Sequence, residues 1–141
     1  MKPPIFKYIR VDTVEAALAI LAEHGGDAKI LAGGQSLVPM LNFRLAAPAI
    51  LVDINPVTKL DYIQAWNGGL RIGARTRQRT LESSPEIEAH CPLLRACAKW
   101  IGHTQIRNRG TVGGSLVHGD PTAELALVAT LLDAEMVIQK R

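Results

Sequence analysis

Residues 105–116 read Gln105-Ile106-Arg107-Asn108-Arg109-Gly110-Thr111-Val112-Gly113-Gly114-Ser115-Leu116, a glycine-rich turn followed closely by Asp120-Pro121-Thr122-Ala123-Glu124. Pro121 after Asp120 predicts a helix start, because proline is preorganised for the first helical position. Leu125, Val128, Leu131 and Leu132 then supply an apolar stripe for a helix ending near Asp133-Ala134, and Glu135 to Gln139 alternates as a strand. That strand ends in Lys140-Arg141 with no following turn or partner. The expectation is therefore a fragment whose sheet continues in further sequence, since an unprotected edge invites aggregation.

The same grammar occurs 80 residues earlier, at Gly33-Gly34. Lys29-Ile30-Leu31-Ala32 reads as a short buried strand broken by that pair, and Ser36 can cap a short helix through Met40 to Arg44, with Pro39 in its first turn. Before it, Asp12-Thr13-Val14-Glu15 resembles a capping box with Asp12 as N-cap. Val14, Ala17, Leu18 and Leu21 give the following helix one apolar face, and His24-Gly25-Gly26 supplies its stop. Ala49 to Ile54 is a second buried strand closed by Asn55-Pro56, so residues 1–56 form a unit of alternating helix and strand. In residues 57–141 the pattern changes. Asp61 to Trp66, the turn Asn67-Gly68-Gly69, and Leu70 to Ala74 predict an antiparallel hairpin. Helical stretches follow at about Gln78 to Glu82 and Leu93 to Gly102. The fold class expected is α+β with α/β character.

Composition narrows the function. The chain has 141 residues, 16 Lys plus Arg against 13 Asp plus Glu, a net charge of +3, and 48% hydrophobic residues. That is enough chain for one ordinary core without disulfides or a structural metal. Cys91 and Cys97 fit no zinc or redox spacing and read as small buried apolar residues, which makes a reducing, cytoplasmic setting the expectation. The longest uncharged stretch, Ile30 to Phe43, has 14 residues and is too short to span a bilayer. The Lys2 to Arg10 region is too interrupted by charge for an export signal. The basic cluster Arg71, Arg75, Arg77 and Arg79 lacks the interleaved aromatics of a single-strand surface, so nucleic-acid binding is disfavoured. A solvated face is its simplest reading, a partner-subunit surface the alternative.

Glycine lets backbone N–H groups approach an anion closely, and Ser36, Thr111 and Ser115 add hydroxyl donors without bulk. Two such segments suit a diphosphate. No G-x-G-x-x-G and no P-loop occurs, nor a nucleophile elbow. His103, His118 and Asp120 offer His-x-Asp spacing without a third ligand, so no metal site and no catalytic side chain is assigned. Glu124 can serve simply by favouring its helix dipole.

Leu31 to Met40, Gln105 to Ser115 and Asp120 to Glu124, taken as a set, resemble the FAD-binding subunit of molybdenum hydroxylases, of the carbon monoxide dehydrogenase medium-subunit type. The resemblance covers essentially the whole chain. It implies the two-subdomain flavin fold of the vanillyl-alcohol oxidase and p-cresol methylhydroxylase type, with the second subdomain incomplete at its C-terminus, and noncovalent FAD between the subdomains. The residues it implies for the cofactor are Ala32, Gly33, Gly34, Gln35, Ser36 and Leu37 in the first segment, Thr111, Val112, Gly113, Gly114 and Ser115 in the second, and Glu124. Backbone amides of both segments would hold the pyrophosphate and the adjoining ribityl region, and Glu124 would accept hydrogen bonds from cofactor hydroxyls. Many relatives have Asp at that position, and Asn or Asp in place of Ser115. A Gly114→Val change is expected to crowd the pyrophosphate and to strain a positive φ. The resemblance further implies a hetero-oligomer with a molybdenum-cofactor large subunit and an iron–sulfur small subunit, in which the flavin passes electrons to an external acceptor. The rival readings are a stand-alone flavin oxidoreductase on the same fold and a flavin-free scaffold or nucleotide-binding module.

Overall fold

Ile50-Leu51-Val52 is apolar at three successive positions, and such a strand is stable only with both faces covered and both edges paired. The computed structural model, which describes residues 2–139, meets that requirement. Strand β3 (Ile50–Asp53) is buried at all four positions in the middle of a parallel sheet of order β1-β3-β2, with β1 at Lys7–Arg10 and β2 at Ala28–Leu31. β1 was not expected from the sequence. Its charged Lys7 and Arg10 read as interruptions, yet an edge strand tolerates them because one side of it faces water.

Helix α1 (Val14–His24) connects β1 to β2. Its N-cap is Thr13 rather than Asp12: Thr13 has extended backbone, and its hydroxyl accepts from the Ala16 amide at 3.1 Å. Asp12 stands one residue too early to reach. Gly25, at φ +52°, ends the helix as expected. Helix α2 (Leu37–Asn42) connects β2 to β3. Ser36 occupies its cap position without a side-chain cap bond.

The antiparallel hairpin forms as the Asn-Gly turn predicts, with β4 at Ile63–Trp66, β5 at Gly69–Ile72, and positive φ at Asn67 and Gly68. Arg71 stacks 3.7 Å above the Trp66 ring centroid. Beyond it lie α3 (Gln78–Ser83), α4 (Pro85–His90) and α5 (Pro92–Ala98). α4 was missed although Ser84-Pro85 announces it: the Ser84 hydroxyl accepts from the Ile87 amide at 3.3 Å and Pro85 stands at the first helical position.

Three further expectations are corrected. The segment expected as a glycine-rich turn is two short helices, α6 (Thr104–Arg109) and α7 (Val112–His118), broken at Gly110 and restarted by Thr111 as N-cap. Pro121 does not start a helix: an Asp120 carboxylate oxygen accepts from the Thr122 amide and hydroxyl at 2.8 and 2.7 Å, a turn that delays α8 to Glu124–Leu131. Residues 135–139 are not a strand. They pair with no edge among the described residues, and Val137 and Ile138 are exposed. The expectations for Lys140-Arg141 fall outside the described residues.

Two cores result. One lies between α1 and the parallel sheet around Val11, Ala17, Val52 and Val57. The other gathers Leu81, Ile87, Leu94, Ala98, Val112, Leu125 and Val128 from the helices. Arg107, only 8% exposed, ties α6 into the second core. Its Nε donates to Glu82 at 2.6 Å, and one terminal nitrogen donates to the carbonyls of Ile101 and Gly102 at 3.0 and 3.1 Å. Burial pushes the Glu82 carboxyl up, but hydrogen bonds from Arg107 and Arg79 outweigh it and leave the group below its ordinary 4.5.

A carboxyl lowered on folding stabilises the fold above its unfolded pKa, and that stability drains away as pH falls through the folded value. Acid unfolding is therefore expected to steepen below pH 4.5. Glu82→Gln should lose about 3 kcal/mol at neutral pH by stranding Arg107. In a denaturant titration repeated across pH, the variant's stability should also fall less than the wild type's between neutral and acid.

Candidate functional site

In a parallel sheet, loops that leave the carboxyl ends of the strands are free to shape a ligand crevice. Arg10, Leu31 and Asp53 lie level at that edge, so residues 32–36 and 54–57 emerge side by side. In the first glycine segment the two halves of the peptide groups are treated differently. Ala32 O accepts from Asn55 Nδ2 at 2.9 Å and Gly33 O from Gln35 Nε2 at 3.3 Å. Gly34 O accepts from the Val38 amide at 3.0 Å and Ser36 O from the Met40 amide at 3.2 Å. Gln35 O is left over because residue 39, the helical donor it would use, is a proline. The N–H groups of Gly33, Gly34, Gln35, Ser36 and Leu37 have no acceptor among the described residues. Gly34 sits at φ +75°, a backbone that lets successive amides form an anion-binding nest. Carbonyls tied back and amides left open make a surface suited to an anion.

The second segment is built the other way. The Val112 amide donates to Thr76 O at 2.9 Å and the Gly113 amide to Ala74 O at 2.8 Å. The Gly114 amide donates to Thr111 Oγ1 at 3.1 Å and the Ser115 amide to Thr111 O at 3.1 Å. These bonds fasten α7 onto the β5–α3 connection, so the expectation that its backbone amides are open to a phosphate does not hold. Thr111 is 2% exposed and Val112 belongs to the second core. Gly113 is required by packing, since a Cβ there would lie 2.6 Å from the Ala74 Cβ. Gly114 is exposed and Ser115 half-buried. Gly114 has no positive φ, so the strain expected of Gly114→Val is absent. A Cβ at that position would instead press on the capping Thr111 hydroxyl at 2.7 Å.

The two segments meet at Gly33. A Cβ on it would stand 2.5 Å from Arg109 O and 2.9 Å from the Gly110 Cα, which leaves no room for any other residue. A polar network locks this crossing. Tyr8 OH donates to one oxygen of the buried Asp53 carboxylate, and the Asn55 amide and side chain donate to the other at 2.8 and 2.5 Å. Burial pushes the Asp53 carboxyl up, but these donors prevail and hold it below the usual carboxylate range. Asn55 Oδ1 accepts from Arg77 at 2.6 Å, and Arg77 also donates to Arg109 O. Arg75 donates to Asn55 O at 2.5 Å and to Asp61 at 2.6 Å. Arg75 and Arg77 are thus half-buried members of this crossing rather than a solvated face. Burial first, and then the nearby Arg109 and Arg75 cations, pull the Arg77 pKa down against the opposing pull of Asp61 and Asp53.

Other expected residues lie further off. Glu124 opens α8, half-buried and without a hydrogen-bond partner among the described residues; α8 packs on α5 and α7, and no bond ties Glu124 to either glycine segment. Its charge and burial together push the Cys97 thiol up, burial being the larger cause. His103 and His118 are exposed, and no group of three or more His, Cys, Asp or Glu suited to a metal occurs among the described residues. The residues that sequence reasoning missed are Tyr8, Asp53, Asn55, Arg75 and Arg77. A signal was available: an acidic residue closing an apolar strand must find donors.

Gly33→Ala should cost about 2 kcal/mol, because the methyl meets two backbone segments rather than a movable side chain. Gly26→Ala, where nothing lies within 4 Å, serves as the control in chemical denaturation and should stay near wild type.

The chain is similar to known proteins along its length. Residues 4–141 match the family model described as FAD binding domain in molybdopterin dehydrogenase. The chain is 53% identical over 139 residues to the 6-hydroxypseudooxynicotine dehydrogenase complex subunit alpha of Paenarthrobacter nicotinovorans, covering 99% of this chain and 47% of that one. It is 43% identical over 137 residues to the caffeine dehydrogenase subunit beta of Pseudomonas sp. (strain CBB1), covering 97% and 46%. A solved structure of carbon monoxide dehydrogenase from Hydrogenophaga pseudoflava superposes with a TM-score of 0.89 at 44% identity, over 92% of this chain and 45% of that one. The chain spans about half the length of the curated relatives it matches. No helix among the described residues is long and apolar enough to cross a membrane. The free amides at Gly33–Leu37, the mixed α/β fold and the end-to-end match together place this chain in the family of FAD-binding domains of molybdopterin dehydrogenases.

Proposed function

We propose that this chain holds FAD in a molybdenum hydroxylase complex, where the flavin passes electrons from iron–sulfur clusters to an external acceptor. The observation that carries the reading is the run of unpaired amides from Gly33 to Leu37, in a segment whose carbonyls, Gln35 O apart, are tied back into the chain. A dinucleotide's pyrophosphate carries the charge and the acceptor oxygens such a surface takes. Ala32 to Leu37 would hold the pyrophosphate through backbone N–H groups. Gly114 and Ser115 would line the opposite side by close approach, while Thr111, Val112 and Gly113 shape it without donating. Glu124 would accept from cofactor hydroxyls. FAD, when bound, supplies the capacity to accept and release electrons, and no side chain of this chain is needed as acid or base.

In this reading the fold is of the vanillyl-alcohol oxidase and p-cresol methylhydroxylase type, with subdomains at 1–56 and 57–141 and the second completed by further sequence. The separate cores support that division, although Val57 and Leu60 pack with the first. The partners would be a molybdenum-cofactor large subunit and an iron–sulfur small subunit. Two free cysteines favour a cytoplasmic setting. The relatives' names span a nicotine derivative, caffeine and carbon monoxide, as expected when the flavin part never meets the molecule oxidised.

The test is gel filtration of the full-length protein with added FAD, recording flavin absorbance against protein. Coelution is expected, and Gly114→Val should reduce it by about tenfold in affinity, a loss of about 1.4 kcal/mol. Colourless full-length protein would contradict the reading and favour a flavin-free module.

A further inference from the structure

We infer that Asn55 is a positioning residue for the diphosphate, acting through the Ala32–Gly33 peptide; the inference rests on the FAD reading above. A trans peptide is planar, with its C=O and N–H on opposite sides. Fixing Ala32 O on Asn55 Nδ2 at 2.9 Å therefore turns the Gly33 N–H, the first of the five unpaired amides, away from Asn55, in a residue that is itself buried against Arg109 and Gly110. The Gln35 side chain does the same for the next peptide with a longer bond, 3.3 Å, from an exposed position.

Asn55 is itself over-determined. Its Nδ2 also donates to Asp53 Oδ1 at 2.5 Å, its Oδ1 accepts from Arg77 at 2.6 Å, and its carbonyl accepts from Arg75 at 2.5 Å. Arg77 in turn holds Arg109 O, the atom that abuts Gly33. One carboxamide thus ties three things together: the strand end, the orientation of the first segment, and the approach of the second. Aspartate cannot substitute, because its carboxylate keeps the acceptor for Arg77 and loses the donor for Ala32. Preorganised donors hold an anion more tightly than donors that must first be oriented.

The experiment uses full-length apoprotein reconstituted with FAD, comparing wild type, Asn55→Ala and Ile87→Ala. Ile87 is fully buried in the second core and serves as a variant that loses stability away from the site. Two quantities are read beside the thermal midpoint: FAD dissociation constants from fluorescence quenching, and the phosphorus NMR resonances of the bound pyrophosphate. Asn55→Ala should weaken FAD at least about tenfold and move the resonances, whereas Ile87→Ala should lower the midpoint and leave both in place. If Asn55→Ala does not fold, Asn55→Asp is read in the same way. An Asn55 variant that matches wild type in affinity and resonances overturns the positioning role alone, as does an equal response from Ile87→Ala. Wild-type protein that binds no FAD overturns the FAD reading, and the positioning role with it.

Discussion

A carboxylate buried at the end of an apolar strand must be met by hydrogen-bond donors, and the way Asp53 is met organises the crossing of the two halves. Its donors are Tyr8 from the neighbouring strand and Asn55 from the loop that follows. Because Asn55 is held there, its side chain reaches Ala32 on one side and Arg77 on the other. The parallel sheet supplies the edge, the buried acid fixes the loop at that edge, and the loop fixes both the first glycine segment and the second half of the chain.

Two segments of similar composition end in opposite roles. Gly33 and Gly113 are both glycines because a neighbour's atoms occupy the space of a Cβ, Arg109 and Gly110 in one case and Ala74 in the other. The difference lies in the amides. Those of Gly33 to Leu37 are open, whereas those of Val112 to Ser115 are consumed in capping α7 and joining it to Ala74 and Thr76. Glycine pairs thus mark close approach in both places, and only the hydrogen-bond accounting tells which one can take an anion.

Much of the fold was legible: the α1 stop at Gly25, the buried β3, the Asn-Gly hairpin and the segment at Gly33-Gly34 all follow from local chemistry. The misses have physical causes. β1 is an edge strand whose charges mask its pattern, and α4 is a single turn or two announced only by Ser84-Pro85. Residues 135–139 alternate like a strand but have no edge to pair with among the described residues. At the site, the two glycine segments were readable as places of close approach, but the commitment of the second segment's amides within the chain was not. The Asp53–Asn55–Arg77 network was not either, because it joins residues distant in sequence that only the sheet register and the α6 position bring together.

The two segments divide the labour, with unpaired amides on the first and committed amides on the second. Residue-resolved amide hydrogen exchange of the full-length protein, with and without FAD, tests this division most directly. Gly34, Gln35, Ser36 and Leu37 are expected to exchange rapidly in the free protein and to become protected with FAD, while Val112 and Gly113 are protected in both states. Protection gained at Val112 and Gly113 with none at Gly34 to Leu37 would contradict it.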